Sequence, residues 1–216
     1  RLIEMVSAFS TFPNKGIHIP YRMVHKIVDR YGRVLEDNTA IEKEEVLSAQ
    51  TAYIMVSMMQ SVVNAGTGRR ARWMGFSRPA GGKTGTTDNF TENWVVGYTP
   101  QITAGCWVAF DDKTSLGKNQ DGAKNGVPVW TEFMIAAHDS LPVEDFEEPD
   151  GLVHLDVCIE SGEIATDRCV EVRNEIFTID NQPTTTCHIH PSSGLYISNN
   201  MKEKEFLPED TSDERF

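Results

Sequence analysis

Three segments between Gly81 and Phe110 narrow most sharply what this chain can fold into. The first is Gly81-Gly82-Lys83-Thr84-Gly85-Thr86-Thr87, crowded with glycine and hydroxyl side chains. The second and third, Asn93 to Tyr98 and Ile102 to Phe110, are rich in Val, Trp, Tyr and Phe, the composition of β-strands. Only a short Thr99-Pro100 turn joins them, so they should pair antiparallel, with the glycine-rich segment as the edge of the same sheet.

Helical patterns flank these strands. Ala52, Met55, Val56, Met59, Val62 and Val63 keep a helical stripe, with Ser48 as N-cap and Asn64-Ala65-Gly66 as the stop. The methionines belong to the core, where they fill gaps between apolar neighbours. Leu2, Met5, Val6 and Phe9 mark one face of an earlier helix, ended by Pro13, Asn14 and Gly16. Tyr21 to Asp29 alternates as a strand and returns through Tyr31-Gly32 into Arg33-Val34-Leu35, a β-hairpin. Gly122 to Gly126 is expected as a loop, with Pro128 in the first turn of a closing helix through Thr131, Phe133, Met134 and Ala137. The whole is a mixed α/β (α+β) fold, a mostly antiparallel sheet flanked by helices.

The expected organisation is a main domain over 1–141, an acidic, proline-bearing linker over 142–151, a cysteine-bearing appendage over 152–200 and a disordered tail over 201–216. Within the appendage, Val153-His154-Leu155 and Ile176-Phe177-Thr178 are strand-like. No run approaches the roughly 18 apolar residues that span a bilayer. The chain opens on Arg1 within an amphipathic pattern, as a piece of a longer polypeptide would. A net charge of -12 argues against a nucleic-acid partner.

Of four cysteines, Cys106 sits in an apolar run and is expected as a buried thiol. Cys158, Cys169 and Cys187 lie in a turn-rich segment with little core, where a disulfide staple and an oxidising compartment are expected, the pairing open. His188 and His190 beside Cys187 offer metal ligands but lack a second half at zinc-finger spacing, so no metal and no cofactor are expected.

The Gly81–Thr87 segment admits two chemical readings besides a plain polar turn. A phosphate-binding P-loop needs Gly where Ser77 stands, a strand before and a helix after, and the sequence offers none of these. The other is the Lys-Thr-Gly element of serine transpeptidases and β-lactamases. There a strand edge lines a cleft. Lys83 supplies positive field, Thr84 and Thr86 supply hydroxyls for a carboxylate, and Gly85 has no Cβ to hold an acyl group away. A backbone N–H on such a strand can face a developing oxyanion, and Thr86 is the candidate donor, with Thr87 at the rim.

The surroundings favour that reading. Thr51 to Met55, Ser57 to Gln60, Gly66-Thr67-Gly68, Gly82 to Thr87, Asn93 to Pro100, Gly105 to Asp112 and Pro128-Val129-Trp130 together resemble the transpeptidase domain of class A penicillin-binding proteins, the 1A branch among them. The resemblance runs from Arg1 to about Gly151, and the later cysteines resemble the short tail of some members. It implies the serine-transpeptidase (β-lactamase-like) fold, here only its C-terminal portion. It implies that an activated serine attacks a peptidoglycan stem peptide, that an acceptor amine resolves the acyl-enzyme, and that β-lactams trap the serine. It also implies a place on the extracytoplasmic face of the bacterial membrane, held by an anchor outside this chain.

In the family, Ser-x-x-Lys and Ser-x-Asn precede Lys-Thr-Gly. Here Ser115-Leu116-Gly117-Lys118 and Ser198-Asn199-Asn200 match those patterns but follow Lys83, the wrong order. The nucleophile is therefore expected on an N-terminal part of the same protein, and this chain alone is expected to be inactive. A β-lactamase is the enzymatic alternative, against which the hairpin, the cysteine tail and the length after Lys83 all argue. A non-catalytic penicillin-recognising sensor is the other. Trp94 is expected as a core aromatic. Arg69, Arg70, Arg72 and Trp73 are expected in a solvated basic loop, with contact to an acidic glycan-peptide as the alternative.

Overall fold

The computed structural model describes residues 1–193. Helix α1 (Leu2–Ser10) is followed by two short antiparallel pairs, β1 (Ile17–His18) with β4 (Glu44–Glu45) and β2 (Lys26–Val28) with β3 (Val34–Asp37). Then come α2 (Ala49–Asn64), α3 (Arg70–Trp73), and the strands β5 (Gly81–Thr86), β6 (Glu92–Tyr98) and β7 (Thr103–Ala109). Helix α4 (Gly122–Ala137) and the pair β8 (Leu152–Cys158) and β9 (Val172–Thr178) follow among the described residues.

The sheet runs β5-β6-β7, antiparallel throughout, with Gly82 opposite Gly97, Thr84 opposite Val95 and Val95 opposite Cys106. Successive strand residues point to opposite faces, and each face has its own helices. On one, Tyr98 donates its phenol to Met59 Sδ at 3.2 Å, and Leu2 and Val6 of α1 close over Gly105. On the other, α4 lays Trp130 against Gly97 and brings Gly126 onto Val95. A Cβ at Gly97 would sit 2.7 Å from the Trp130 ring, so glycine is what lets the indole approach the strand this closely.

Helix α2 forms as its sequence pattern predicts. Ser48 Oγ accepts the Thr51 N–H at 3.2 Å, a cap of about 1 kcal/mol. Ala52, Val56, Met59 and Val63 are buried, Val56 and Met59 beside Tyr98 and Val63 in the cluster around Trp130. Trp130 and Met134 anchor that second cluster with Val127, Phe76 and Ala80.

Several expectations are corrected. Residues 122–126 are helix, not loop, and Pro128 lies inside α4 rather than in its first turn. Asp121 caps the helix through Lys124 N–H at 2.9 Å, and the glycines are held by close approach: a Cβ at Gly122 would meet Trp94 O at 2.8 Å and Gly85 O at 2.9 Å. Pro128 has no N–H for the Lys124 carbonyl, and Arg70 donates to that oxygen at 3.2 Å. The strand expected over 21–29 is only Lys26–Val28, because neither face of the exposed hairpin meets a core. Within the stretch 142–151, Phe146 stands edge-on to Tyr98 at 5.9 Å.

The described residues divide into two compact units, Arg1–Val153 with Ile176–Asn181, and His154–Glu175 with the segment from Gln182 onward. The tail expected over 201–216, and Ser198-Asn199-Asn200, lie outside the described residues. No helix among those described is long and apolar enough to cross a membrane.

Candidate active site

Strand β5 is an edge of its sheet, paired with β6 on one side only. Gly81 and Gly82 are buried, Lys83 is exposed, Thr84 and Gly85 are half-buried, and Thr86 is exposed. The register puts Lys83 opposite Val96 and Gly85 opposite Trp94, on the face shared by α1 and α2. Thr84 and Thr86 project toward α4. The sequence reading brought the ammonium and both hydroxyls to one cleft as a set; the pleat instead delivers them to the two sides of one strand.

Each hydroxyl has a partner that orients it. Thr84 Oγ1 lies 2.7 Å from Thr67 Oγ1. Thr86 Oγ1 accepts the Gly122 N–H at 3.1 Å, at the N-terminus of α4. A hydroxyl has one donor and two acceptor positions, so Thr86 keeps its proton for a further acceptor while Gly122 fixes its rotamer. Lys83 Nζ donates to the Thr84 carbonyl at 2.7 Å, which folds the amine back along the open edge. Thr87 Oγ1 contacts Thr91 Oγ1 at 2.8 Å and accepts Glu92 N–H at 2.9 Å, closing the turn after the strand.

Thr67 is the member of this group that sequence reasoning did not single out as a site residue. Its signal was the pair of flanking glycines, Gly66 and Gly68, which let the chain after α2 pass close to Val62. Asn93, fully buried opposite Thr86, donates to Gln120 O at 3.2 Å and so ties the loop before α4 to the sheet.

Other candidates fall elsewhere. Trp94 is half-buried rather than core, stacked on exposed Trp107 with ring centroids 5.3 Å apart. The arginines are not a free basic patch. Arg72 donates to the carbonyls of Phe76 and Arg78, Arg70 serves Lys124, and Arg69 lies 4.8 Å over the Trp73 ring. Ser115 is in an irregular loop with its hydroxyl on Asn89 O at 2.7 Å, not at the head of a helix. Cys106 is half-buried, and burial pushes its thiol up.

The staple expected in the appendage is absent. Cys158, Cys169 and Cys187 are all unbonded thiols, and His190 turns its ring toward Cys158 and Cys187. His188 instead pairs with Glu163 at 2.7 Å.

Comparison with known proteins agrees with this architecture. Residues 2–133 match the penicillin binding protein transpeptidase domain, and residues 148–192 match the penicillin-binding protein 1A C-terminal domain. Penicillin-binding protein 1A of Aquifex aeolicus is 36% identical over 185 residues, covering 86% of this chain and 25% of that protein. Its namesake in Clostridium perfringens is 28% identical, with 86% and 23% covered. The chain thus spans about a quarter of the length of these relatives. Among solved structures, penicillin-binding protein 1A of Haemophilus influenzae superposes with a TM-score of 0.76 at 24% identity, over 86% of this chain and 33% of that one. PonA1 of Mycobacterium tuberculosis in complex with penicillin V superposes with a TM-score of 0.61 at 27% identity, over 69% and 41%. The family model over residues 2–133 covers more than half of the chain, and the chain belongs to the penicillin-binding protein transpeptidase family.

Proposed function

We propose that this chain forms the Lys-Thr-Gly wall of a peptidoglycan D,D-transpeptidase whose nucleophilic serine lies on an N-terminal part of the same protein. The observation that carries the reading is the half-paired strand β5, with the Lys83 ammonium at an open edge and no Cβ at Gly85. An extended peptide can be received along such an edge by main-chain hydrogen bonds.

In this reading the serine hydroxyl attacks the penultimate D-Ala carbonyl of a stem peptide. Its proton leaves with the departing D-Ala amine, and an acceptor amine then displaces the serine oxygen. Lys83 stabilises negative charge beside the reacting groups and takes part in the proton relay. The Thr86 N–H receives the oxyanion. The hydroxyls of Thr84 and Thr86 bind the donor carboxylate, or that of a β-lactam, each already oriented by Thr67 or Gly122. Thr87 stands at the rim. The reaction takes place outside the cytoplasm, in a larger protein that also carries a glycosyltransferase and a membrane anchor.

Labelling with a fluorescent penicillin tests the proposal. The parent protein labels covalently, the isolated chain stays dark, and Lys83→Ala in the parent slows acylation by about 10²–10³. A labelled isolated chain would place the serine within it and overturn the assignment. A parent that fails to label would favour a non-catalytic recognition domain.

A further inference from the structure

The appendage holds a group of side chains that the transpeptidase reading does not use. Cys158 ends β8, Cys169 follows the turn at Thr166, and Cys187 and His190 come from a later segment. Backbone bonds bring these pieces together: Cys187 N–H to Ile164 O at 2.8 Å, Ile164 N–H to Thr185 O at 3.1 Å, and Ile159 N–H to Glu171 O at 3.1 Å. One ligand atom from each of the four residues lies within 4.8 Å of every other.

Their spacing is that of ligands around one ion. Zinc–sulfur bonds of about 2.3 Å and zinc–nitrogen bonds of about 2.05 Å at the tetrahedral angle put sulfur and nitrogen about 3.5 Å apart. His190 Nδ1 lies 3.6 Å from Cys158 Sγ and 3.5 Å from Cys187 Sγ.

Two further observations point the same way. The other ring nitrogen of His190, Nε2, faces the Glu160 carboxylate at 3.5 Å. A metal-bound imidazole characteristically has such a carboxylate behind it, fixing tautomer and ring orientation. The sulfurs also receive hydrogen bonds suited to thiolates. Ser161 O–H and His190 N–H donate to Cys187 Sγ at 3.3 and 3.4 Å, and Thr166 N–H donates to Cys169 Sγ at 3.2 Å. Cys158 and Cys187 are buried, while the only buried aliphatic side chain described in this unit is Val157.

We propose that Cys158, Cys169, Cys187 and His190 bind one structural zinc ion that holds the appendage together in place of an apolar core. Three thiolates and one imidazole in a tetrahedron select zinc among the common divalent ions. No ligand position is left open, so the site is structural rather than catalytic. The spacing that hid it is long: Cys158, Cys169 and the Cys187/His190 pair lie far apart in sequence, and only the last two form a short motif.

The test is metal content and exchange in the full 216-residue chain, purified under reducing conditions. Elemental analysis is expected to find ~1 zinc per chain. Cobalt(II) added to the chelator-stripped protein should give thiolate charge-transfer absorption and the intense d–d bands of a tetrahedral ion, both abolished by Zn(II). Cys187→Ser should bring zinc well below one per chain, and Glu160→Gln, which removes no ligand, should weaken Zn(II) binding by about 10–100-fold against a competing chelator. Should the cysteine variant not fold, the wild-type stoichiometry and the cobalt spectrum decide by themselves. A reduced chain that retains no metal in excess Zn(II) overturns the proposal. So does a metal-free native protein whose mass is short by the two hydrogens of a disulfide.

Discussion

The two units of this molecule are held together in different ways. The larger, Arg1–Val153 with Ile176–Asn181, has two apolar clusters between sheet and helices, one around Trp130 and Met134, the other around Val56, Met59 and Tyr98. The smaller gathers three thiols and an imidazole where a core would be. Burial of apolar area is spread over many side chains, so each loss is partial. A ligand-built centre concentrates its stabilisation in four groups and stands or falls with them.

Selective stripping should expose this contrast most strongly. With the zinc removed by a chelator, hydrogen exchange should become fast across 154–175 and 182–190, while α2 and β6 keep their protection. Uniform loss across both units would mean that they share one stabilising centre. The converse experiment is Trp130→Ala. It deletes the indole that covers Gly97, meets Phe76 at 5.6 Å and donates to Ala104 O at 3.2 Å. Denaturant unfolding of the larger unit should show a loss of roughly 3–5 kcal/mol, with zinc content unchanged.

A smaller effect sharpens the link between core and site. Asp121→Ala removes the cap that starts α4 beside Thr86, and should lower stability by about 1 kcal/mol in the same unfolding assay. In the parent protein it should also slow penicillin labelling, because the Gly122 N–H orients the Thr86 hydroxyl. Labelling unchanged at that loss of stability would detach α4 from the site.

The smallest effect is electrostatic. Glu147 and Lys15 pair at 2.6 Å on the exposed surface of the larger unit, and the hydrogen bond from Lys15 holds the Glu147 carboxyl below its ordinary value. A depressed carboxyl contributes stability above its unfolded value, about 4.3, and loses it as pH falls through the lower folded value. Glu147→Gln should therefore leave a slightly flatter melting temperature between neutral and acid pH, and a steeper one would reverse the sign. Solvent screening keeps this pair minor beside Trp130.

Local patterns carried much of this fold. The stripe from Ala52 to Val63 with its Ser48 cap, the Val/Trp/Tyr runs around Thr99-Pro100, and the glycine-flanked Lys83 each depend on neighbours a few residues away, so they are legible in one dimension.

Where a residue's state depends on distant partners, only the tertiary structure decided it. Gly122-Ala123-Lys124-Asn125-Gly126 has poor helical propensity, yet it is helix because Asp121 caps it and its bare α-carbons fit against Gly85, Trp94 and Val95. Thr84 and Thr86 became oriented hydroxyls through Thr67 and Gly122, and the pleat separated them from Lys83. Sequence alone established that Cys158, Cys169, Cys187 and His190 exist in a segment short of apolar residues. That they meet as four ligands rather than as a disulfide and a spare thiol follows from the strand and bridge pairings that bring their ligand atoms within 4.8 Å of one another, a distance no spacing along the chain encodes.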